Sequence, residues 1–216
     1  MPAPTASQLA SMAKAAVQNA GLKGENAPDL GDAIADTCGA ALALFAAQAM
    51  VMPGAPAAAP PPPGAGATAG PGNLMPPPAG GPDAGAIEGL ASGFLAARGL
   101  LGENAPDLAK VIAGAVAEGI KLFTSTVFAA PGITIAGFVT AAPGTLMGAA
   151  PPAAALEGVA NGLCSSNKLR GENAGDLATA LGKSISDALG LLMQQCLVLP
   201  GIPASPGATA GPGRLM

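Results

Sequence analysis

The amino-acid sequence predicts a mainly α protein: three tandem helical-hairpin repeats closed into a pseudo-threefold six-helix bundle, with Pro/Gly-rich extended arms or short strands. Three observations predict it. A seven-residue string recurs, as GENAPDL at Gly24 and Gly102 and as GENAGDL at Gly171. Pro-Gly follows at one fixed distance in every copy, at Pro53-Gly54, Pro131-Gly132 and Pro200-Gly201. The copies also close alike, with TAGPGNLM from Thr68, TAAPGTLM from Thr140 and TAGPGRLM from Thr209. Self-similarity at this period is the mark of one supersecondary unit repeated along a chain.

The repeats span 5–75, 83–147 and 152–216, joined by linkers at 76–82 and 148–151. Each opens with a helix. Over 6–20, Leu9, Met12, Ala16 and Val17 fall at helical spacing, and Gly21 stands where a left-handed C′ residue ends a helix. The repeated string then starts a second helix. Asn26, Asn104 and Asn173 are expected as N-caps, each accepting from an orphan backbone N–H. Asp29, Asp107 and Asp176, three residues later, suit the positive helix end. Pro28 and Pro106 sit in the first turn, where a missing N–H costs nothing.

The second helix is expected over 27–52. Its core face reads Leu30, Ile34, Cys38, Leu42 and Phe45 in the first copy. The second copy gives Leu108, Ile112, Val116, Ile120 and Phe123, and the third Leu177, Leu181, Ile185, Leu189 and Leu192. Leu44, Leu122 and Leu191 are expected to widen this stripe. Pro-Gly then stops the helix. In the arms, ITIAGFVT is a strand candidate, whereas IPASPGAT carries too much proline for a central strand. The first arm holds four consecutive prolines, Pro60–Pro63, which favour extended polyproline chain. Leu74 and Met75, Leu146 and Met147, and Leu215 and Met216 are expected to anchor the arm ends. Because long arms would interrupt stacking, the hairpins are expected to close around an axis with the arms projecting; an Ala-rich solenoid is the alternative.

Composition narrows the function. The chain has no His, Trp or Tyr and only five Phe, so its core rests on Leu, Ile, Val, Met and close-packed Ala. Its net charge is −4, with no basic run, which excludes a nucleic-acid footprint. Without His, Ser/His/Asp and Cys/His catalysis are ruled out in those forms. Glu25, Asp29 and their counterparts are the only carboxylates repeated in all three copies, and helix capping accounts for them better than acid/base chemistry. Asp32 and Asp36 occur in the first copy only and read as a solvated face. Cys38, Cys164 and Cys196 match no zinc spacing and read as buried thiols. No catalytic residue, metal or cofactor is expected. The uncharged run from Thr37 to Met52 falls short of the roughly 20 residues a membrane span needs. The segment MPAPTASQLASMAK lacks the charge and hydropathy pattern of a secretory signal.

The pattern PGI followed by TAGPG-x-L-M, in a compact Ala/Pro/Gly-rich chain, resembles small structural proteins of contractile phage tails and related injection systems. The chain lacks the His cluster of their PAAR-type metal-binding tips. The resemblance implies a hub, spike or tube-end protein in a virion or injection particle, and no catalytic residue carries over. The expected function is therefore that of a non-enzymatic pseudo-threefold adaptor or plug, seated on a homotrimeric axial component. The alternatives are a soluble helical-repeat protein-binding module in the cytoplasm, with the proline run as bait for an aromatic groove, or a lumenal cargo.

Overall fold

A computed structural model describes residues 3–58, 65–205 and 207–216. The run Pro60–Pro63, and with it the expected polyproline conformation, lies outside the described residues. Six helices alternate short and long: α1 (Ala6–Asn19), α2 (Ala27–Gln48), α3 (Ala84–Ala97), α4 (Ala105–Thr126), α5 (Ala153–Ser166) and α6 (Ala174–Gln195). The short helices are all 14 residues long and the long ones all 22.

The helices begin and end for local reasons. Thr5 and Gln8 cap α1 reciprocally, and Asp83 caps α3 through a 2.8 Å bond from the Ala86 N–H. The short helices end with backbone bonds from Leu22 to Val17, Leu100 to Leu95 and Leu169 to Cys164. This geometry needs a left-handed residue just before the donor. Gly21 and Gly99 supply it, with φ of 94° and 74°; in the third copy Lys168 is forced there, at 61°.

The long helices correct the sequence reading twice. They stop at Gln48, Thr126 and Gln195, so α2 ends well before residue 52, because the residues that follow pair as strands. Asn26, Asn104 and Asn173 do occupy the N-cap positions but make no side-chain cap bond. Their backbone is already turned (Asn26 φ −88°, ψ −2°), and the preceding Gly24, Gly102 and Gly171 carbonyls accept from Ala27, Ala105 and Ala174. That turn is closed by backbone bonds alone. Asp29, Asp107 and Asp176 lie in the first turns as expected.

The long helices α2, α4 and α6 touch one another, and each short helix lies against two of them: α1 on α2 and α6, α3 on α4 and α2, α5 on α6 and α4. Ile34, Ile112 and Leu181 are wholly buried among them. So are Phe45, Phe123 and Leu192, with the two phenyl rings edge to face at 6.1 Å. Leu30, Leu108 and Leu177 are only half-buried, as are Leu122 and Leu191. Leu44 is exposed, contrary to expectation. One residue before Phe45, it is turned about 100° from the buried line. Asp32 and Asp36 are not a solvated face either. Arg98, capping α3, reaches both at 2.9 and 2.7 Å, and Lys14 on α1 meets Asp32 at 2.9 Å.

Beyond the C-terminal ends of the long helices, twelve short strands form two closed layers rather than projecting arms. The first holds β1 (Met50–Val51), β4 (Gly72–Asn73), β5 (Val127–Ala129), β8 (Gly144–Gly148), β9 (Leu197–Val198) and β12 (Gly213–Arg214). Pairing runs β12–β1, β4–β5, β5–β8 and β8–β9, all antiparallel, and the bridges Val51–Leu74 and Val198–Leu215 complete the circle. The second layer holds β2 (Pro56–Ala58), β3 (Ala65–Thr68), β6 (Thr134–Ala136), β7 (Val139–Thr140), β10 (Ala204–Ser205) and β11 (Gly207–Thr209). Its order is β10-β11-β2-β3-β6-β7, closed by a bridge from Val139 to Pro203. IPASPGAT therefore does contribute strands, because Pro203 sits just before β10, where no ladder N–H is needed.

The interior of these layers is filled by matching residues. Val51, Ala129 and Val198 are buried, as are Ala55, Ile133 and Ile202, and a separate small core joins Ala57, Ile135 and Ala204. Glycine makes room for them: a Cβ on Gly72 would lie 2.6 Å from a Val51 methyl, and Gly144 and Gly213 are crowded likewise by Ile133 and Ile202. The expected anchors divide. Leu74 and Leu215 are buried and Leu146 half-buried, whereas Met147 and Met216 are exposed and Met75 is half-buried. On an extended strand, neighbouring side chains point to opposite faces, so Leu and Met cannot both turn inward.

One contact the sequence did not reveal recurs three times. Thr68 clasps the Pro-Gly turn at 131–133: its N–H donates to Ile133 O (2.9 Å), its carbonyl accepts from Gly132 N (2.7 Å), and its Oγ1 accepts from Ile133 N (3.0 Å). Thr140 clasps Gly201 and Ile202 with the same three bonds, its Oγ1 2.9 Å from Ile202 N. Thr209 clasps Gly54 and Ala55, its Oγ1 3.0 Å from Ala55 N. The clasped glycines have φ of 97°, 94° and 93° at Gly54, Gly132 and Gly201, which other residues reach only with strain.

Two outcomes follow. Thr68→Val, Thr140→Val and Thr209→Val keep side-chain shape but leave a buried N–H without its acceptor. Each is expected to cost about 1–3 kcal/mol, read from the shift in denaturant midpoint at unchanged m-value. Lys168→Gly relieves the left-handed strain and is expected to add about 1 kcal/mol in the same assay.

Candidate functional site

The long helices all begin at the end of the molecule opposite the strands. Their first turns and the loops before them enclose an open bowl of about 660 Å³. Leu22, Leu100 and Leu169, from the loops, line it together with Leu30, Leu108 and Leu177, from the helices. All six are half-buried. Leu30 and its counterparts therefore pack against the core but are only half-buried: they stand one turn before Ile34, Ile112 and Leu181, where the bowl opens.

Asn26, Asn104 and Asn173 form part of the same lining, with Glu103, Glu172 and Arg170 beside them. The three asparagines are exposed, and no side-chain bond ties them to their helix ends. The bowl thus pairs an apolar floor with amide and charged groups above. Such a surface fits an apolar group whose margin stays wet. Asp29, Asp107 and Asp176 lie just outside it; Asp107 meets Lys110 at 3.2 Å. Leu101 also borders the bowl and is 74% exposed.

No Ser, Thr, Cys or Lys among the described residues lines the bowl. Among the described residues, no three His, Cys, Asp or Glu side chains come together as a metal-holding group. Cys38, Cys164 and Cys196 are buried and unpaired. Burial pushes the Cys38 thiol up to about 12 and the Cys196 thiol up to about 11, and it raises Cys164 as well. A thiol held protonated in this way is a poor nucleophile.

Helix α2 is long and apolar enough to cross a membrane by length and composition, with 56% of its most apolar window buried inside the fold. It begins ten residues before the uncharged run at Thr37, which by itself is too short for a span.

The bowl gives a sharp contrast in tolerance. Leu30→Asp, Leu108→Asp and Leu177→Asp place a charge on the half-buried floor of an open bowl, and each variant is expected to keep a cooperative thermal transition. Ile34→Asp, Ile112→Asp and Leu181→Asp, one turn deeper, bury an unpaired charge and are expected to abolish it. Differential scanning calorimetry of the six variants separates the two groups.

In comparisons with known proteins, no family model matches the chain, and no curated protein or solved structure is significantly similar to it.

Proposed function

We propose that this chain is a non-enzymatic structural protein, a pseudo-threefold adaptor or plug seated on a trimeric axial component of a phage tail or contractile injection system. The observation that carries the reading is the direction of the threonine clasps. The first copy holds the second, the second holds the third, and the third returns to hold the first. The helices follow the same circuit, since α1 lies against α6 as α3 does against α2 and α5 against α4.

A returning contact favours closure about an axis over an open solenoid, whose end units would have no such partners. A closed single-chain object with threefold-equivalent positions can match a true homotrimer while each copy keeps its own side chains. One adaptor then binds per trimer, which is what the end of a tube requires. The Ala/Pro/Gly-rich arms, which carry the resemblance to small tail proteins, support placing it there.

The reading is tested on the protein isolated from its source cells, by sedimentation followed by electron microscopy of the large fraction. The expected result is co-sedimentation with a tube-like particle, at about one chain per particle end. A free, folded monomer with no large partner overturns it. The combined Glu25→Gln, Glu103→Gln and Glu172→Gln variant is expected to enter particles normally; loss of function in a folded variant would revive acid/base chemistry.

A further inference from the structure

The charges of this protein are distributed very unevenly along its length. Segments 50–82, 127–152 and 196–216, which form the strand layers and their connections, contain a single charged side chain, Arg214. Every other charged residue lies in the helices, at their caps, or in the loops around the bowl. A surface left in water ordinarily carries charge on about a quarter or more of its residues. The strand end does not, and it exposes apolar side chains as well: Phe138 at 63%, together with Val139, Met147 and Met216.

The three methionines deserve to be taken together. Met75, Met147 and Met216 close the three copies at matching positions, and each follows a leucine that turns inward. The latter two face solvent, and Met75 is half-buried. Methionine is unbranched and polarizable, and it adapts to irregular apolar surfaces. Interface centres are depleted in charge and enriched in Met and Phe.

We propose that the strand end, and not the bowl, is the face that seats on the partner, and that the partner is a protein trimer offering an uncharged, apolar socket. This rests on the adaptor reading and adds which face is used and what chemistry meets it. The absence of charge fixes the partner's character. An acidic or basic group in the socket would lose its hydration against a surface with one arginine to answer it. Both strand layers are closed circles, so the contact is made by side chains and not by adding a strand to an edge.

A protein socket fits better than a lipid surface. The chain has no Trp or Tyr for a membrane interface, and the strand end has no basic cluster. Its sequence is mostly Ala, Gly, Pro and Thr, which bury little apolar area each but permit close approach.

The test uses source cells in which the chain is replaced by full-length variants, with particle-bound protein measured after sedimentation. Phe138→Asp, Met147→Asp and Met216→Asp alter exposed strand-end residues; Leu101→Asp and Glu103→Lys alter exposed residues at the bowl. Circular dichroism confirms folding, and Phe138→Asp carries the test if a methionine variant does not fold. At least a tenfold loss of particle-bound protein is expected for the strand-end variants, with the bowl variants at wild-type level. The reverse pattern overturns the proposal while leaving the adaptor reading in place. Wild-type protein absent from particles overturns both. Two measurements on the purified wild-type protein bear on the other occupants. Flotation with phosphatidylcholine vesicles, or self-association in sedimentation that Phe138→Asp abolishes, would overturn the protein socket in favour of lipid or of a second copy. Neither is expected.

Discussion

A threonine that offers its N–H, its carbonyl and its hydroxyl to one Pro-Gly turn is a small device, and the molecule uses it three times. Each clasp joins the end of one copy to the turn after the long helix of another. The turn sets a left-handed glycine before a buried residue, Ala55, Ile133 or Ile202, and the threonine satisfies the backbone N–H groups of both. With the clasps formed, the strands on either side of each turn are brought into register, and both layers close. The helices then inherit their arrangement, because each long helix runs directly into a strand of the first layer.

Small residues are what make this arrangement dense. The strand interior is filled by Ala, Val and Ile at matching positions, and Gly72, Gly144 and Gly213 leave the space those side chains occupy. Among the helices, the same role falls to alanine, with Phe45, Phe123 and Leu192 as the largest buried group near the strand end. Each such residue buries little area, so stability depends on contact quality more than on any large side chain. The Arg98, Asp32, Asp36 and Lys14 group adds ion pairs from α2 to the cap of α3 and to Lys14 on α1. It distinguishes α2 against α3 from the two other seams, where matching positions carry different residues.

Much of the helical layer was legible in the sequence. The recurring strings place the six helices, and the periodic apolar residues mark Ile34, Ile112, Leu181, Phe45, Phe123 and Leu192 correctly as interior. The asparagines misled, because N-cap preference assumes an extended residue before the helix, whereas Gly24 and its counterparts turn the chain earlier. Leu30, Leu108 and Leu177 misled for a different reason: periodicity reports the face of a helix but not where along its length neighbours diverge. The strand layers were the least legible. Most of the strands are two or three residues long and carry no alternation to read, and much of their pairing joins different copies, with contacts over separations such as Gly54 to Thr209. A signal was present all the same, in the threonine that opens each repeated TA-x-PG-x-LM string. So was the near absence of charge from all three arms.

The order of synthesis gives the last clasp a particular meaning. Gly54 and Ala55 emerge from a ribosome early, yet their partner Thr209 is made about 150 residues afterwards, and β1 waits similarly for β12. Throughout elongation the first copy stays without the strand that completes it. A chain cut short, or one slow to finish, presents an unpaired strand and an open apolar interior, and these are features that chaperones and proteases recognise. Maturity is thereby written into topology: Thr209 and β12 certify Ala55 and β1.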